Sequence, residues 1–332
     1  MYKLNWSGKW LKIKGKYEVI FKMKIASVLP LKGELQEKLA KMTGAKVVTE
    51  ASVAELAQAE IILGWDEKVS EVLSGENKIK WLQAWSAGVD NFPLAELAQK
   101  EIYLTTASGA NAPGIAQQVL GYLLNFARKL HVSYDLQRAH QWEIPAGIME
   151  LTERKLLIVG TGSIGQSLAQ LAQAFGMKVY GVNTYGHHVM NFNDCYAITE
   201  LETVLPEADF VVNALPLTPH TKHTFSKHQF SAMSDKAYYI SVGRGQTTDT
   251  SALETALKEG MIAGAALDVF EEEPLSKDST LWDLPNILIT AHTAGQTNFY
   301  AERIIDSFLL NFQYYQQGLA PAKNLVNYDL GY

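Results

Sequence analysis

The chain has 332 residues, 47% of them hydrophobic and 19% charged, enough for two globular domains each with its own core. A formal net charge of −6 argues against a dedicated nucleic-acid binder, and no apolar run approaches the roughly 20 residues of a membrane span. The single cysteine, Cys195, excludes an intramolecular disulfide and fits a reducing, cytoplasmic setting.

The first 22 residues carry Lys3, Lys9, Lys12, Lys14, Lys16 and Lys22 against only Glu18. They lack the apolar core of a secretory signal and the arginines of a mitochondrial leader, so a dispensable extension or a start codon assigned too early is expected. From Met23 short apolar runs alternate with amphipathic stretches. Strands are expected at Ile25–Leu29, Lys46–Thr49, Ile61–Gly64, Trp81–Trp85 and Tyr103–Thr106, with helices such as Glu34–Met42 and Val53–Ala59 between them. Such alternation predicts a parallel sheet covered on both faces. A helical pattern from about Ala112 to Leu130 is expected to carry the chain into a second domain.

That second domain alternates more cleanly, with strands expected at Leu156–Val159, Lys178–Val182, Phe210–Leu215, Tyr238–Val242, Ala263–Leu267 and Ile287–Thr290. Six strands make a complete two-half dinucleotide fold. Asn298–Gln316 reads as a helix, and Ala320–Val326 as an extended tail packing back onto the first domain. The expected division is therefore 23–112 completed by 296–332, and 113–295.

The first strand of the second domain runs into Gly160-Thr161-Gly162-Ser163-Ile164-Gly165 and then a helix. In that pattern one glycine permits the tight turn, the next lets backbone approach a pyrophosphate, and the third lets helix and strand pack closely. An acid normally closes the following strand, where it holds the adenosine ribose. Here Lys178–Val182 leads instead into Asn183-Thr184-Tyr185-Gly186-His187-His188, with no Arg or Lys from Val179 to Ala197. An acid repels a 2′-phosphate, whereas a hydroxyl and two imidazoles accept one. NADP is therefore expected over NAD.

Three further polar residues stand at strand ends: Arg244 in Ser241-Val-Gly-Arg-Gly245, Glu273 before Pro274, and His292 after Ile287–Thr290. Ligands collect at the carboxyl ends of strands in such sheets. A guanidinium fork suits a carboxylate, and a His beside a carboxylate can pass a proton to a developing alkoxide. His220, His223 and His228 straddle a loop and helix start without a nearby carboxylate or cysteine, so no metal is expected. Cys195 lies in a polar stretch away from every motif.

From about Met23 to its end the chain resembles the D-isomer-specific 2-hydroxyacid dehydrogenases. The resemblance is carried by Trp81–Asp90, Gly160–Gly165, Asn213-Ala-Leu-Pro-Leu-Thr-Pro219, Ser241–Gly245, Leu267–Pro274 and Leu281–Asn286 running on to His292. It implies two doubly wound parallel α/β domains, a Rossmann-type dinucleotide domain and a flavodoxin-like substrate domain. It also implies that Arg244 grips the substrate, His292 is the acid/base and Glu273 orients it, leaving Glu271 and Glu272 as solvated charges. Substrate contacts are implied at the backbone of Ala87, Gly88 and Val89 and at Trp65. Cofactor contacts are implied at Gly160, Thr161, Gly162, Ser163, Ile164, Gly165, Asn183, Thr184, Leu215, Pro216, Val242, Gly243 and Asp268.

The chain departs from the family pattern at Ala291, where a proline usually precedes the His, and at Gln117, where Glu is common. Formate-oxidising relatives pair their His with Gln, so Glu273 argues against that chemistry. The expected activity is reduction of a small 2-keto acid such as glyoxylate or hydroxypyruvate in an interdomain cleft, by a homodimer with Leu130–Ile144 as candidate contact. A nucleotide-sensing, corepressor-like interaction protein and a phosphoglycerate dehydrogenase without regulatory domain are the alternatives.

Overall fold

The computed structural model describes residues 11–13, 16–18, 23–89 and 91–328. Beyond a short antiparallel pair, β1 (Leu11–Ile13) and β2 (Lys16–Glu18), the expectation for the N-terminal extension lies outside the described residues. The chain divides into two compact units, Met1–Ala110 with Asn298–Tyr332, and Asn111–Thr297. No described helix is long and apolar enough to cross a membrane.

In the first unit β3 (Lys24–Ser27), β4 (Lys46–Val48), β5 (Ile61–Leu63), β6 (Trp81–Gln83) and β7 (Tyr103–Thr105) form one parallel sheet, ordered β4-β3-β5-β6-β7. Counted within the unit this is 2-1-3-4-5, the flavodoxin-like order. Helices α1 (Gly33–Thr43), α2 (Val53–Ala57), α3 (Glu67–Ser74) and α4 (Leu94–Gln99) make the connections. The strands stop one or two residues short of the apolar runs that announce them. At β5 the reason is Gly64, whose φ of 96° turns the chain out of the sheet.

The second unit holds β8 (Lys155–Val159), β9 (Lys178–Asn183), β10 (Asp194–Ala197), β11 (Phe210–Asn213), β12 (Tyr238–Ser241), β13 (Gly264–Leu267) and β14 (Ile287–Ile289). All pair in parallel, in the order β10-β9-β8-β11-β12-β13-β14. That is the Rossmann order 3-2-1-4-5-6 with one strand added beyond it. Among the described residues there are thus seven strands where six were expected. The unforeseen one, β10, is a polar edge strand whose Cys195 packs against Gly181 of β9. Cys195 is therefore a buried sheet residue within that polar stretch, and burial pushes its thiol up.

Side chains alternate across β8. Leu156 and Ile158 face a core shared with α5 (Ala112–Arg128) and α7 (Ser163–Ala174), while Leu157 and Val159 face the opposite layer. That opposite layer is built from α8 (Leu201–Val204), α9 (Lys227–Ala232) and α10 (Thr250–Lys258). Each such buried aliphatic contributes about 1.5–3 kcal/mol. α5 buries Ile115, Ala116, Val119, Tyr122, Leu123 and Phe126 at helical spacing. It lies wholly within the second unit and breaks at Lys129 (φ 54°), where α6 (Leu130–Arg138) takes a new direction. Finally α11 (Tyr300–Tyr315) returns to the first unit, where Phe308 stacks on Trp81 with centroids 4.7 Å apart. The tail follows it, Val326 N–H donating to the Leu104 carbonyl at 2.9 Å.

Candidate active site

β8 and β11 are neighbours in the sheet, and the strand order reverses between them, which opens a crevice at their carboxyl ends. The chain leaves β8 through Gly160 at φ 107°, where a Cβ would stand 2.9 Å from the Ala214 carbonyl oxygen. At Gly165 a Cβ would stand 2.3 Å from the Gly160 carbonyl oxygen, so only glycine lets α7 start against the strand. Between them Gly162 has nothing within 4 Å of where its Cβ would lie.

The first turn of α7 carries no side-chain cap and no acidic residue. Its N–H groups, which a Ser, Thr or Asp would usually satisfy, open onto this crevice beside the exposed Gly162 and Ser163, with Ile164 half-buried and Thr161 buried. This set fits a pyrophosphate. Across the crevice Asn213 accepts the Leu215 N–H through Oδ1 at 3.2 Å, and its carbonyl accepts the Val242 N–H at 3.0 Å. Gly243 packs on the Leu215 backbone, and Pro216 is exposed.

At the end of β9, Asn183 closes the loop that follows it. Its Nδ2 donates to the His187 carbonyl at 2.8 Å, and its Oδ1 accepts the Tyr185 and His187 N–H groups at 3.3 and 3.2 Å. Thr184, Tyr185, His187 and His188 project into solvent. The amide therefore shapes this loop, and the hydroxyl and imidazoles around it remain available.

Farther along the same sheet edge, His292 and Glu273 meet. His292 Nδ1 lies 2.7 Å from Glu273 Oε2, and the other carboxylate oxygen accepts the Phe270 N–H at 2.9 Å. A carboxylate only accepts, so Nδ1 carries the proton and Nε2 is the nitrogen available to a reactant. Burial raises the Glu273 carboxyl, but the His292 and Phe270 hydrogen bonds and the charges of His292 and Arg244 prevail and hold it below the usual carboxylate range. Arg244 is exposed at the turn after β12, where its own carbonyl accepts both the N–H and the hydroxyl of Thr247.

His292 sits at φ 51°, uncommon for a residue with a Cβ. Asp268, 1% exposed at the end of β13, accepts the Thr293 and Ala294 N–H groups, each at 2.9 Å, and also a hydroxyl hydrogen bond from Thr290. Two residues that the sequence reading passed over stand behind it: Gln118 and Tyr122, both on α5. A tyrosine within a buried stripe whose other members carry no polar side-chain atom was the available signal, since a buried hydroxyl demands a partner.

In the first unit, Ser86 Oγ donates to the Gly88 carbonyl at 2.7 Å in the turn that carries Ala87, Gly88 and Val89. Ala87 and Gly88 are exposed, Val89 is buried, and among the described residues no group accepts the Gly88 or Val89 N–H. Asp90 lies outside the described residues. Trp65 packs on Phe92 with centroids 4.8 Å apart.

One expectation is corrected. Glu271 is not a solvated charge: its Oε1 lies 2.6 Å from His223 Nε2, and its Oε2 accepts the Thr250 N–H at 2.8 Å. The cis bond between Glu273 and Pro274 belongs to the same loop, in which Glu271 reaches His223 and the start of α10 while Glu272 stays exposed. His223 thus has a carboxylate neighbour after all, from a segment 48 positions away that linear spacing could not bring into view. Among the described residues no cluster of three or more His, Cys, Asp or Glu is arranged to hold a metal.

The family model for the NAD-binding domain of D-isomer-specific 2-hydroxyacid dehydrogenases matches residues 120–294. Glyoxylate/hydroxypyruvate reductase B of Klebsiella pneumoniae is 37% identical over 251 residues, covering 73% of this chain and 77% of that protein. The crystal structure of phosphoglycerate dehydrogenase from Lactobacillus plantarum is 36% identical, with a TM-score of 0.57 over 92% of this chain and 100% of that one. An NADPH-dependent glyoxylate/hydroxypyruvate reductase from Sinorhizobium meliloti, solved with NADP and sulfate, is 25% identical, with a TM-score of 0.73 over 94% and 100%.

Proposed function

Because the chain belongs to the D-isomer-specific 2-hydroxyacid dehydrogenase family, we propose that it reduces a small 2-keto acid of the glyoxylate or hydroxypyruvate type to the D-2-hydroxy acid with NAD(P)H. The observation that carries this reading is the 2.7 Å contact of His292 with Glu273, on the sheet edge that also bears Arg244 and the glycine cradle. When bound, the reduced nicotinamide supplies the hydride. The Arg244 fork binds the substrate carboxylate and draws electron density toward the carbonyl oxygen. His292 Nε2 donates the proton that this oxygen takes up, and Glu273 holds the ring in the required tautomer and stabilises its charge. Ala87, Gly88, Val89 and Trp65 are the proposed substrate-contacting residues of the first unit. Gly160–Gly165, Asn183, Thr184, Leu215, Pro216, Val242, Gly243 and Asp268 are those proposed for the cofactor.

NADP is the proposed cofactor in preference to NAD. Support comes from the absent acid, from the exposed Thr184, His187 and His188, and from an Asn183 amide committed to shaping that loop. A homodimer is proposed through α6 and the segment after it, where Trp142 and Ile144 are 102% and 90% exposed. The lone buried cysteine supports a cytoplasmic setting.

The test is cofactor oxidation, with NADPH and NADH in parallel, across a panel of 2-keto acids. Glyoxylate or hydroxypyruvate should oxidise NADPH, and more efficiently than NADH. Turnover confined to 3-phosphohydroxypyruvate would move the assignment to phosphoglycerate oxidation, the activity for which the Lactobacillus relative is named. Nucleotide binding with no turnover on any keto acid would overturn the enzymatic reading in favour of a sensor.

A further inference from the structure

Behind Asp268 lies a chain of hydrogen bonds that the proposed chemistry does not use. Tyr122 is 4% exposed on the inner face of α5, and its hydroxyl is 2.6 Å from Thr290 Oγ1. Gln118, one turn earlier, donates through Nε2 to Thr290 Oγ1 and to Asp268 Oδ1, each at 3.1 Å, and also contacts the Tyr122 hydroxyl. Thr290 donates its hydroxyl hydrogen to Asp268 Oδ1 and so must accept from Tyr122. The order is one-way, from α5 through Thr290 to the carboxylate.

Asp268 has no ion-pair partner among the described residues, and its oxygens are met instead by these dipoles and by two backbone N–H groups. Its contacts fall on both sides of His292, with Thr290 before it and Thr293 and Ala294 after it. Between them the His292 N–H donates to the Thr290 carbonyl at 3.1 Å, closing a tight turn with His292 in the left-handed region. A residue with a Cβ stays in that region only where its surroundings over-determine it. Ala291 removes the ring constraint that a proline would place one residue earlier, so the turn depends on the clamp.

We propose that Gln118 and Tyr122 are positioning residues for His292: from α5 they hold Thr290 and Asp268, and this clamp presents the imidazole with Nδ1 on Glu273. The inference rests on the reading of His292 as the proton donor. Glu273 contacts that ring, Arg244 acts on Glu273 from the sheet edge, and Asp268 holds the turn from the other side.

The decisive variant is Tyr122→Phe in the full-length protein, which removes one hydroxyl and keeps the ring in the core. Misplacing the proton donor should lower kcat for keto-acid reduction about ten- to a hundredfold while KM changes little. The acidic limb of the kcat profile should move to higher pH, because a Glu273 less engaged by His292 returns toward its ordinary value. Thr290→Val should act in the same direction, and Thr290→Ser, which keeps the hydroxyl, should restore the rate.

A spectroscopic readout stands apart from turnover. In 15N-histidine-labelled protein the Nδ1–H signal of His292 should be sharp in the parent and broadened by exchange in Tyr122→Phe. A lower melting temperature with kcat, acidic limb and imidazole signal all unchanged would mean a merely structural role and would overturn the proposal. If Tyr122→Phe does not fold, the Thr290→Val and Thr290→Ser pair decides by the same criteria. If His292→Gln leaves turnover intact, the proton-donor reading fails on its own, and the imidazole signal still decides whether α5 holds the turn.

Discussion

At Glu273 two hydrogen-bond donors and two positive charges outweigh burial, and the sign of the pH dependence follows. Its carboxyl is depressed in the folded protein, so the pairing is intact above the ordinary glutamate value of about 4.3 and is lost only as pH falls through the lower folded value. The acidic limb of kcat should lie below that ordinary value, and Glu273→Gln should abolish the limb along with much of the rate. Substituting His292 by Gln removes the proton donor and should cost about 10²–10⁴ in kcat, measured by steady-state cofactor oxidation. Arg244→Lys keeps the charge and loses the fork; KM for the keto acid should rise about tenfold or more. Asn183→Asp keeps both accepted hydrogen bonds, loses the one donated to His187, and adds the ribose-binding charge. The NADPH-to-NADH efficiency ratio should fall about tenfold, and an unchanged ratio would place cofactor choice elsewhere.

The sheet elements were legible wherever burial on both faces produces a continuous apolar run, as at Leu156–Val159 and Phe210–Asn213. β10 was not, because Asp194-Cys-Tyr-Ala197 lies at an edge and has little periodicity in four residues. The glycine cradle was legible because Gly160 and Gly165 answer local steric demands and Gly162 leaves the approach to the helix start open. The Gln118–Tyr122–Asp268 relay was not, since its partners are 150 or more positions apart and only the parallel sheet brings them together. The His223–Glu271 pair escaped for the same reason, which is why Glu271 was misread. At the start of α7 the demand can be tested directly. Gly165→Ala drives a methyl against the Gly160 carbonyl, a backbone atom that cannot swing aside. About 1–3 kcal/mol of stability should be lost, read from chemical denaturation, together with weaker NADPH binding by fluorescence titration.

At the scale of the whole molecule, α6 has no buried residue, although its moment separates an apolar from a polar side. Leu130, Tyr134, Trp142 and Ile144 are large apolar side chains all exposed within this one stretch of the chain. Trp142→Ser with Ile144→Ser should convert the proposed dimer to monomer in sedimentation velocity, and a parent already monomeric would remove that proposal. The two-unit architecture has a consequence for synthesis on the ribosome. Residues 111–297 are contiguous and can complete their sheet as soon as they emerge, whereas the earlier-made unit awaits α11 and the tail. Until Phe308 and Phe312 arrive, the face of its sheet bearing Ile25, Leu63 and Trp81 has only part of its cover, from Leu35 and Leu39 of α1. The half of the protein translated first is therefore the half that matures last, and its nascent form is the one that holdase chaperones would meet.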